Sequence, residues 1–287
     1  MDVAVIGAGR VGTAMAVLLG RAGHTIRAVA GGEGTRERAA RYLPNVPFRG
    51  REDAAATAEL VLLGTPDAAI EPICTELARA GVLGTGRTIA HLSGATGLDA
   101  LGTAEAAGAD VLCIHPLMTC PDVEAAIARI PGSAFAVTAR SPLAFGLGED
   151  LAIDVGGRPF ALEDEMKPLY HAAAVFASNY LVTLTALAAS LQETAGVPEP
   201  LEALAPLQRA TLDNVHAFGP AEALTGPAAR GDDLTVERNL HALAQHAPEA
   251  VAAYVALADL ALDLAGSSGR IDPLAAAAVR EVLERWR

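Results

Sequence analysis

The stretch "VAVIGAGRVGTAMA", Val3 to Ala16, decides how the first half of this chain folds. Val3 to Ile6 is short, apolar and partly β-branched, as a buried strand requires. Gly7, Gly9 and Gly12 follow at the spacing G-x-G-x-x-G. The alanine- and leucine-rich run from Val11 to Ala22 reads as a helix, and Thr25 to Ala30 as a second strand. In that setting such glycines hold a dinucleotide. Gly7 permits the tight turn, Gly9 leaves room for a pyrophosphate, and Gly12 lets the helix pack on the strand. Ala8, Arg10 and Val11 complete the loop, and the free N–H groups of the helix start favour phosphate.

The end of the second strand selects the nucleotide. An NAD site usually places Asp or Glu there, to hold the ribose 2′-hydroxyl. Here the strand runs into "GGEGTRER", residues 31–38, and the first acid, Glu33, comes late. Thr35 and Arg36, with Arg38, suit a 2′-phosphate through hydroxyl and forked guanidinium donors. The expected cofactor is therefore NADP, with NAD as the alternative.

The alternation continues. "AELVLLGTP" (58–66), "RTIAHLSG" (87–94), "ADVLCIHP" (109–116) and "SAFAVTA" (133–139) read as strands, separated by helical runs. A last helix–strand pair runs through "AFGLGEDLAIDVGGRPFAL". This pattern predicts an α/β domain, a doubly wound parallel sheet with helices on both faces. Ligands of such sheets bind beyond the carboxyl ends of the strands. Thr65-Pro66, Ser93-Gly94 and His115-Pro116 stand at three of those ends and are expected to line one crevice. Turn chemistry alone accounts for most of these residues, and least well for His115.

Composition narrows the function classes. The 287 residues hold 21 Lys plus Arg against 34 Asp plus Glu, a net charge of −13. This disfavours a nucleic-acid surface. No charged segment precedes the first apolar strand, so no secretory leader is expected. Three cysteines make no disulfide framework and point to a reducing, cytoplasmic location. Cys113, His115 and Cys120 lie close in sequence, but no second cluster completes a metal site, and none is expected.

After Leu162 no strand pattern appears. The boundary is placed there, giving domains 1–162 and 163–287, the second all-helical. Pro168 to Gln192 contains no Asp, Glu, Lys or Arg. That length could span a bilayer. Its His171, Ser178, Asn179 and threonines point instead to a helix buried at a domain or dimer interface, and no membrane is expected. A helix turns about 100° per residue, so His171, Val175, Ser178 and Val182 share a stripe with Asn179 at its edge. Imidazole, hydroxyl and amide among small alanines can serve a proton transfer and orient a carbonyl or imine. Further on, "ALTGPAARGDDLTVERNL" offers Arg230 to a substrate carboxylate, or equally to a partner salt bridge.

"VAVIGAGRVGTAMA", "HLSGATGLDAL", "IHPLMT", "LYHAAAVFASNYLVTL" and "ALTGPAARGD" together resemble a family of bacterial proteins. These pair a Rossmann-like domain with a helical domain of unknown function, DUF2520. The family is similar to pyrroline-5-carboxylate reductase, 6-phosphogluconate dehydrogenase and hydroxyisobutyrate dehydrogenase. The resemblance implies hydride transfer, a helical domain that closes over the nicotinamide, and pairing of two subunits. It supplies no substrate. Such relatives often use a lysine on the first helix of the second domain; Lys167 lies near that helix start, and His171 deeper in the polar stripe. The chain departs from the expected Ser-Arg-Ser at the second strand end, where it has Gly31-Gly32-Glu33.

These readings converge on an NADP-dependent reductase or dehydrogenase, working as a homodimer on a small C=O or C=N substrate that carries a carboxylate. His171 is the expected proton donor, Ser178 and Asn179 orient the acceptor, and His115 is the second choice. Two other readings are a cofactor-binding sensor or scaffold without turnover, and a prephenate-dehydrogenase-like enzyme suggested by His115-Pro116.

Overall fold

A computed structural model describes residues 1–287. One seven-stranded sheet has the order β2-β1-β3-β4-β5-β6-β7. Its strands are β1 (Asp2–Ile6), β2 (Thr25–Ala30), β3 (Leu60–Leu63), β4 (Thr88–His91), β5 (Asp110–Pro116), β6 (Ala134–Ala139) and β7 (Arg158–Ala161). The connecting helices are α1 (Arg10–Arg21), α2 (Glu33–Tyr42), α3 (Arg51–Ala56), α4 (Ile70–Arg79), α5 (Gly102–Ala106), α6 (Val123–Arg129) and α7 (Pro142–Asp154). The helical part holds α8 (Lys167–Ala177), α9 (Asn179–Thr194), α10 (Pro200–Phe218), α11 (Pro220–Ala223), α12 (Pro227–Arg230), α13 (Asp233–His246), α14 (Val251–Ser267) and α15 (Pro273–Glu284).

Successive strand residues point to opposite faces, and the sequence fills both with apolar groups. Val3 and Val5 join Leu60, Leu62, Ala90 and Ile114 in a core on one face, with Met15 and Leu19 of α1. Ala4 and Ile6 join Val61, Leu63, Ile89 and Val111 on the other, with Ile73 and Leu77 of α4. A sheet covered on both faces explains why these strands read as continuous apolar runs.

The expected sheet is wholly parallel; β6 is not. It pairs antiparallel with β5, and β7 then pairs parallel with β6. The chain after β5 makes only the short α6, which packs beside α1. It therefore enters β6 from the end where β5 finished. The strands that carry the glycine turn and its neighbours, β1 to β5, remain parallel.

The chain forms two compact units, Met1–Asn179 and Tyr180–Arg287. Composition changes earlier, at Leu162, while α8 stays in the unit of the sheet, with Lys167 fully buried. The helical unit has its own core, built from Val236 and Leu240 of α13, Val255 and Leu262 of α14, and Val279 and Leu283 of α15.

The uncharged segment that sequence reads as one buried helix differs in two ways. It breaks at Ser178, where φ is −121° and ψ −70°, and α9 starts afresh at Asn179. No residue of α9 is buried within the chain. Leu169, Phe176 and Val182, with Leu201, Leu207 and Phe218 of α10, are each between 61% and 69% exposed. Residues 164–194 and 248–267 are long and apolar enough to cross a membrane by length and composition.

Candidate active site

The glycine turn between β1 and α1 has the geometry its residues require. Gly7 sits at φ +74°, and a Cβ there would lie 2.1 Å from the Thr65 methyl. A Cβ on Gly12 would lie 3.1 Å from the Gly64 Cα, and one on Gly64 would lie 2.8 Å from the Gly12 Cα. Two glycines, one on each side, let α1 touch the end of β3. Gly9 differs, since a Cβ there would meet nothing nearer than the Gly64 carbonyl, at 3.4 Å. Its missing side chain therefore leaves open space outward. The α1 N-terminus has no side-chain cap and no acid in its first turn, so its first N–H groups lack acceptors. Ala8 is buried, and its carbonyl accepts from Thr13 Oγ1 at 3.0 Å and Arg38 Nε at 2.8 Å. Beside the turn, the buried Thr65 Oγ1 has no partner. An uncapped helix start, an open face at Gly9 and an unpaired hydroxyl fit an anionic nucleotide.

At the end of β2 the candidates separate. Thr35 is only 6% exposed, and its side chain packs under Gly31. Arg36 lies over the Phe48 ring, 4.2 Å from its centroid, with Glu33 at 3.7 Å. Sequence spacing could not show this, because only the fold brings Phe48 to that helix.

The ends of β4 and β5 form a second cluster. The Ser93 hydroxyl is spent within its own turn, on Ala95 N, Thr96 N and Thr96 Oγ1. The Ser93 N–H donates to Nδ1 of the buried His91. Beneath them, Lys167 Nζ donates to the Ser93 carbonyl and to Cys113 Sγ, both at 3.0 Å. Burial pushes the Cys113 thiol up, and the Lys167 charge partly offsets this. Burial, with the same charge, pushes His91 down to about 3.

His115 stands at the rim of this cluster. Its ring fills the space a Gly94 side chain would need, with ring atoms 2.8 Å from that Cβ position. Its Nδ1 is 2.8 Å from the Tyr170 hydroxyl. Burial, the Lys167 charge and His171 push His115 down to about 4. Burial pushes Tyr170 up to about 12. At neutral pH the pair is an imidazole and a phenol joined by one hydrogen bond. His171 is half-buried on the same helix, close enough to act on His115 electrostatically.

The structure thus gathers Ser93, Gly94, His115, Tyr170 and His171. Ser178 and Asn179 fall at the helix break, about two turns beyond His171. Arg230 belongs to the helical unit, where it lines a cavity of about 330 Å³ with Arg270. Sequence reading passed over Tyr170 and gave Lys167 a minor place. The available signal was the chain's single lysine, two positions after the acidic run Glu163-Asp164-Glu165, at the edge of an uncharged run.

Residues 1–116 match the Rossmann-like domain, and residues 133–261 match the domain of unknown function DUF2520. The chain carries a Rossmann-like domain followed by a DUF2520 domain. The DUF2520 match begins just before β6, so the antiparallel strand and His171 both belong to it. Solved structures share the fold across nearly the whole chain. A Bacteroides fragilis protein provisionally named an NADP oxidoreductase is 23% identical, with a TM-score of 0.72 over 91% of this chain and 97% of its own. The protein TM1727 from Thermotoga maritima is 21% identical, with a TM-score of 0.71 over 93% and 100%. The 1-pyrroline-5-carboxylate reductase of Streptococcus pyogenes is 20% identical, with a TM-score of 0.62 over 93% and 98%. No curated protein matches the sequence.

Proposed function

We propose that this chain is an NADP(H)-dependent oxidoreductase that reduces a small C=O or C=N compound carrying a carboxylate. The observation that carries the reading is the glycine turn. It is uncapped, open at Gly9 and flanked by the unpaired Thr65 hydroxyl, in the unit that also holds His115, Tyr170 and His171. The similar proteins named for NADP and pyrroline carboxylate chemistry agree with it at the level of fold.

The nucleotide would rest on Gly7, Ala8, Gly9, Arg10, Val11 and Gly12, with Thr65-Pro66 and Ser93-Gly94 beside it. A bound reduced nicotinamide supplies the hydride to the acceptor carbon. The chain must supply the proton to the oxygen or nitrogen that receives the bond electrons. His115, held neutral and tied to Tyr170, is a poor proton reservoir at neutral pH. His171 is the imidazole left for that task, and His115 positions or polarises the acceptor. A spectrophotometric screen of NADPH oxidation with 2-keto acids and cyclic imino acids tests this. Saturable, substrate-dependent oxidation supports it. Tight NADPH binding without turnover on any acceptor favours a sensor.

We further propose that a second copy of the chain covers the apolar surface of α9 and α10. Exposed apolar patches of this extent mark interaction sites, and twofold pairs are the commonest solution. A monomer by light scattering would contradict the pairing.

A further inference from the structure

We infer that Arg38, and not Arg36, is the residue that selects a 2′-phosphorylated nucleotide; this rests on the reading of the glycine turn as a dinucleotide site. Arg38 lies one turn into α2, and its side chain reaches back across the start of that helix. Nε donates to the Ala8 carbonyl of the glycine turn at 2.8 Å. Its two terminal nitrogens lie 3.5 and 3.7 Å from the place a Gly34 Cβ would take. The guanidinium therefore bridges the glycine turn and the first turn of α2, beside the strand end where the adenosine ribose of a dinucleotide is read. Nε is fixed and the terminal N–H groups have no protein acceptor, so the fork is oriented before any ligand arrives.

The neighbouring residues narrow the alternatives. A ribose-binding acid would have to stand at Gly31. A Cβ there would fall 2.6 to 2.9 Å from the Thr35 side chain, at φ +156°. Gly32 and Gly34 carry no side chain, and Glu33, inside the first turn of α2, is exposed with Arg36 3.7 Å away. Arg36 lies over the Phe48 ring and stays exposed, with no hydrogen bond to orient its fork. Arg10 and Arg38 both face a cavity of about 360 Å³. Of the acids lining it, Asp122 caps α6 and Glu124 pairs with Arg41, while Glu37 stays exposed. Arg10, Arg38 and Arg41 there balance three carboxylates, so the preference for a 2′-phosphate rests on the fixed Arg38 fork and not on net charge.

Equilibrium titrations with NADPH, NADH, adenosine 2′,5′-bisphosphate and 5′-AMP test the assignment on the wild type, Arg38→Gln and Arg36→Gln, each with a thermal melt. The expected result is a loss of about tenfold or more in NADPH and bisphosphate affinity for Arg38→Gln, with NADH and 5′-AMP within about twofold. Arg36→Gln should change none of the four. Arg38→Lys, which keeps the charge, should retain part of the preference if Arg38→Gln fails to fold. Equal losses for phosphorylated and unphosphorylated ligands would show that Arg38 only braces the turn, and overturn the inference. So would a selective loss in Arg36→Gln, or a wild type indifferent to the 2′-phosphate. Wild-type protein that binds none of the four would overturn the dinucleotide reading itself, and this inference with it.

Discussion

His115 and Tyr170 meet at 2.8 Å, ring nitrogen to hydroxyl, with the two rings edge to face at 88°. The contact ties the end of β5 to α8, so one hydrogen bond couples a strand-end imidazole to the helix that carries His171. Removing it tests how far the site depends on that tie. Tyr170→Phe keeps the ring and loses the bond. It should cost about 0.5–1.5 kcal/mol of stability, read from urea unfolding, and lower turnover more than it raises KM. Unchanged kinetics with the same loss of stability would make the pair structural only.

Acid should destabilise the sheet-bearing unit through its buried histidines. His115 is held near 4 and His91 near 3, both below the usual histidine value, chiefly by burial. The unfolded chain therefore binds more protons than the folded one between about pH 6.5 and those values. Stability is full above about pH 6.5 and falls as pH drops through that window. Urea midpoints measured from pH 7.5 to 4 check this. The fall should shrink in His91→Gln, and an unchanged profile in that variant would contradict the assignment.

The glycines at the α1–β3 contact should matter for folding. Gly64→Ala puts a methyl 2.8 Å from the Gly12 Cα and 2.9 Å from the Gly7 carbonyl. Overpacking of that kind costs about 1–3 kcal/mol. A thermal melt of Gly64→Ala equal to wild type would show that helix and strand can separate freely.

His171→Gln addresses the chemistry. A positioned acid contributes about 10²–10⁴-fold, so the variant should lose about 10²-fold or more in turnover while keeping NADPH affinity and thermal stability. A folded variant as active as wild type would remove the proton-transfer role from His171.

The apolar face has its own test. Val182, 69% exposed, becomes buried if a second copy covers α9. Val182→Glu should then yield monomers by light scattering, and wild type a dimer. Partition of wild type into lipid vesicles would replace the pairing with a membrane contact.

Much of the Rossmann-like half was legible because its signals are local. The glycine spacing, the apolar strands and the turn residues all lie within short windows, and β1 to β5 follow them. The direction of β6 was not legible, since a single strand looks the same in either orientation. The candidate site was legible only in part. His115 and His171 stand out as unexpected polar residues. Tyr170 looked like one more aromatic on an apolar helix, and its partner lies 55 positions away. Thr35 and Arg36 are adjacent in sequence to the right strand end, yet tertiary packing turns one inward and the other onto Phe48. The stripe through Ser178 assumed an unbroken helix, and the break at that residue removes the assumption.

The dinucleotide site rests on the glycine turn, and Gly9 is its most sensitive position. Its surroundings accept a side chain, with the nearest atom 3.4 Å from the Cβ position and an ordinary φ of −67°. Gly9→Val should therefore fold as wild type does, while its side chain fills the space meant for the pyrophosphate. Titration of NADPH by its own fluorescence, on wild type and Gly9→Val side by side, is the measurement. Saturable binding to wild type is expected, and none to a Gly9→Val protein of unchanged melting temperature. Equal binding to both would contradict a site at the glycine turn.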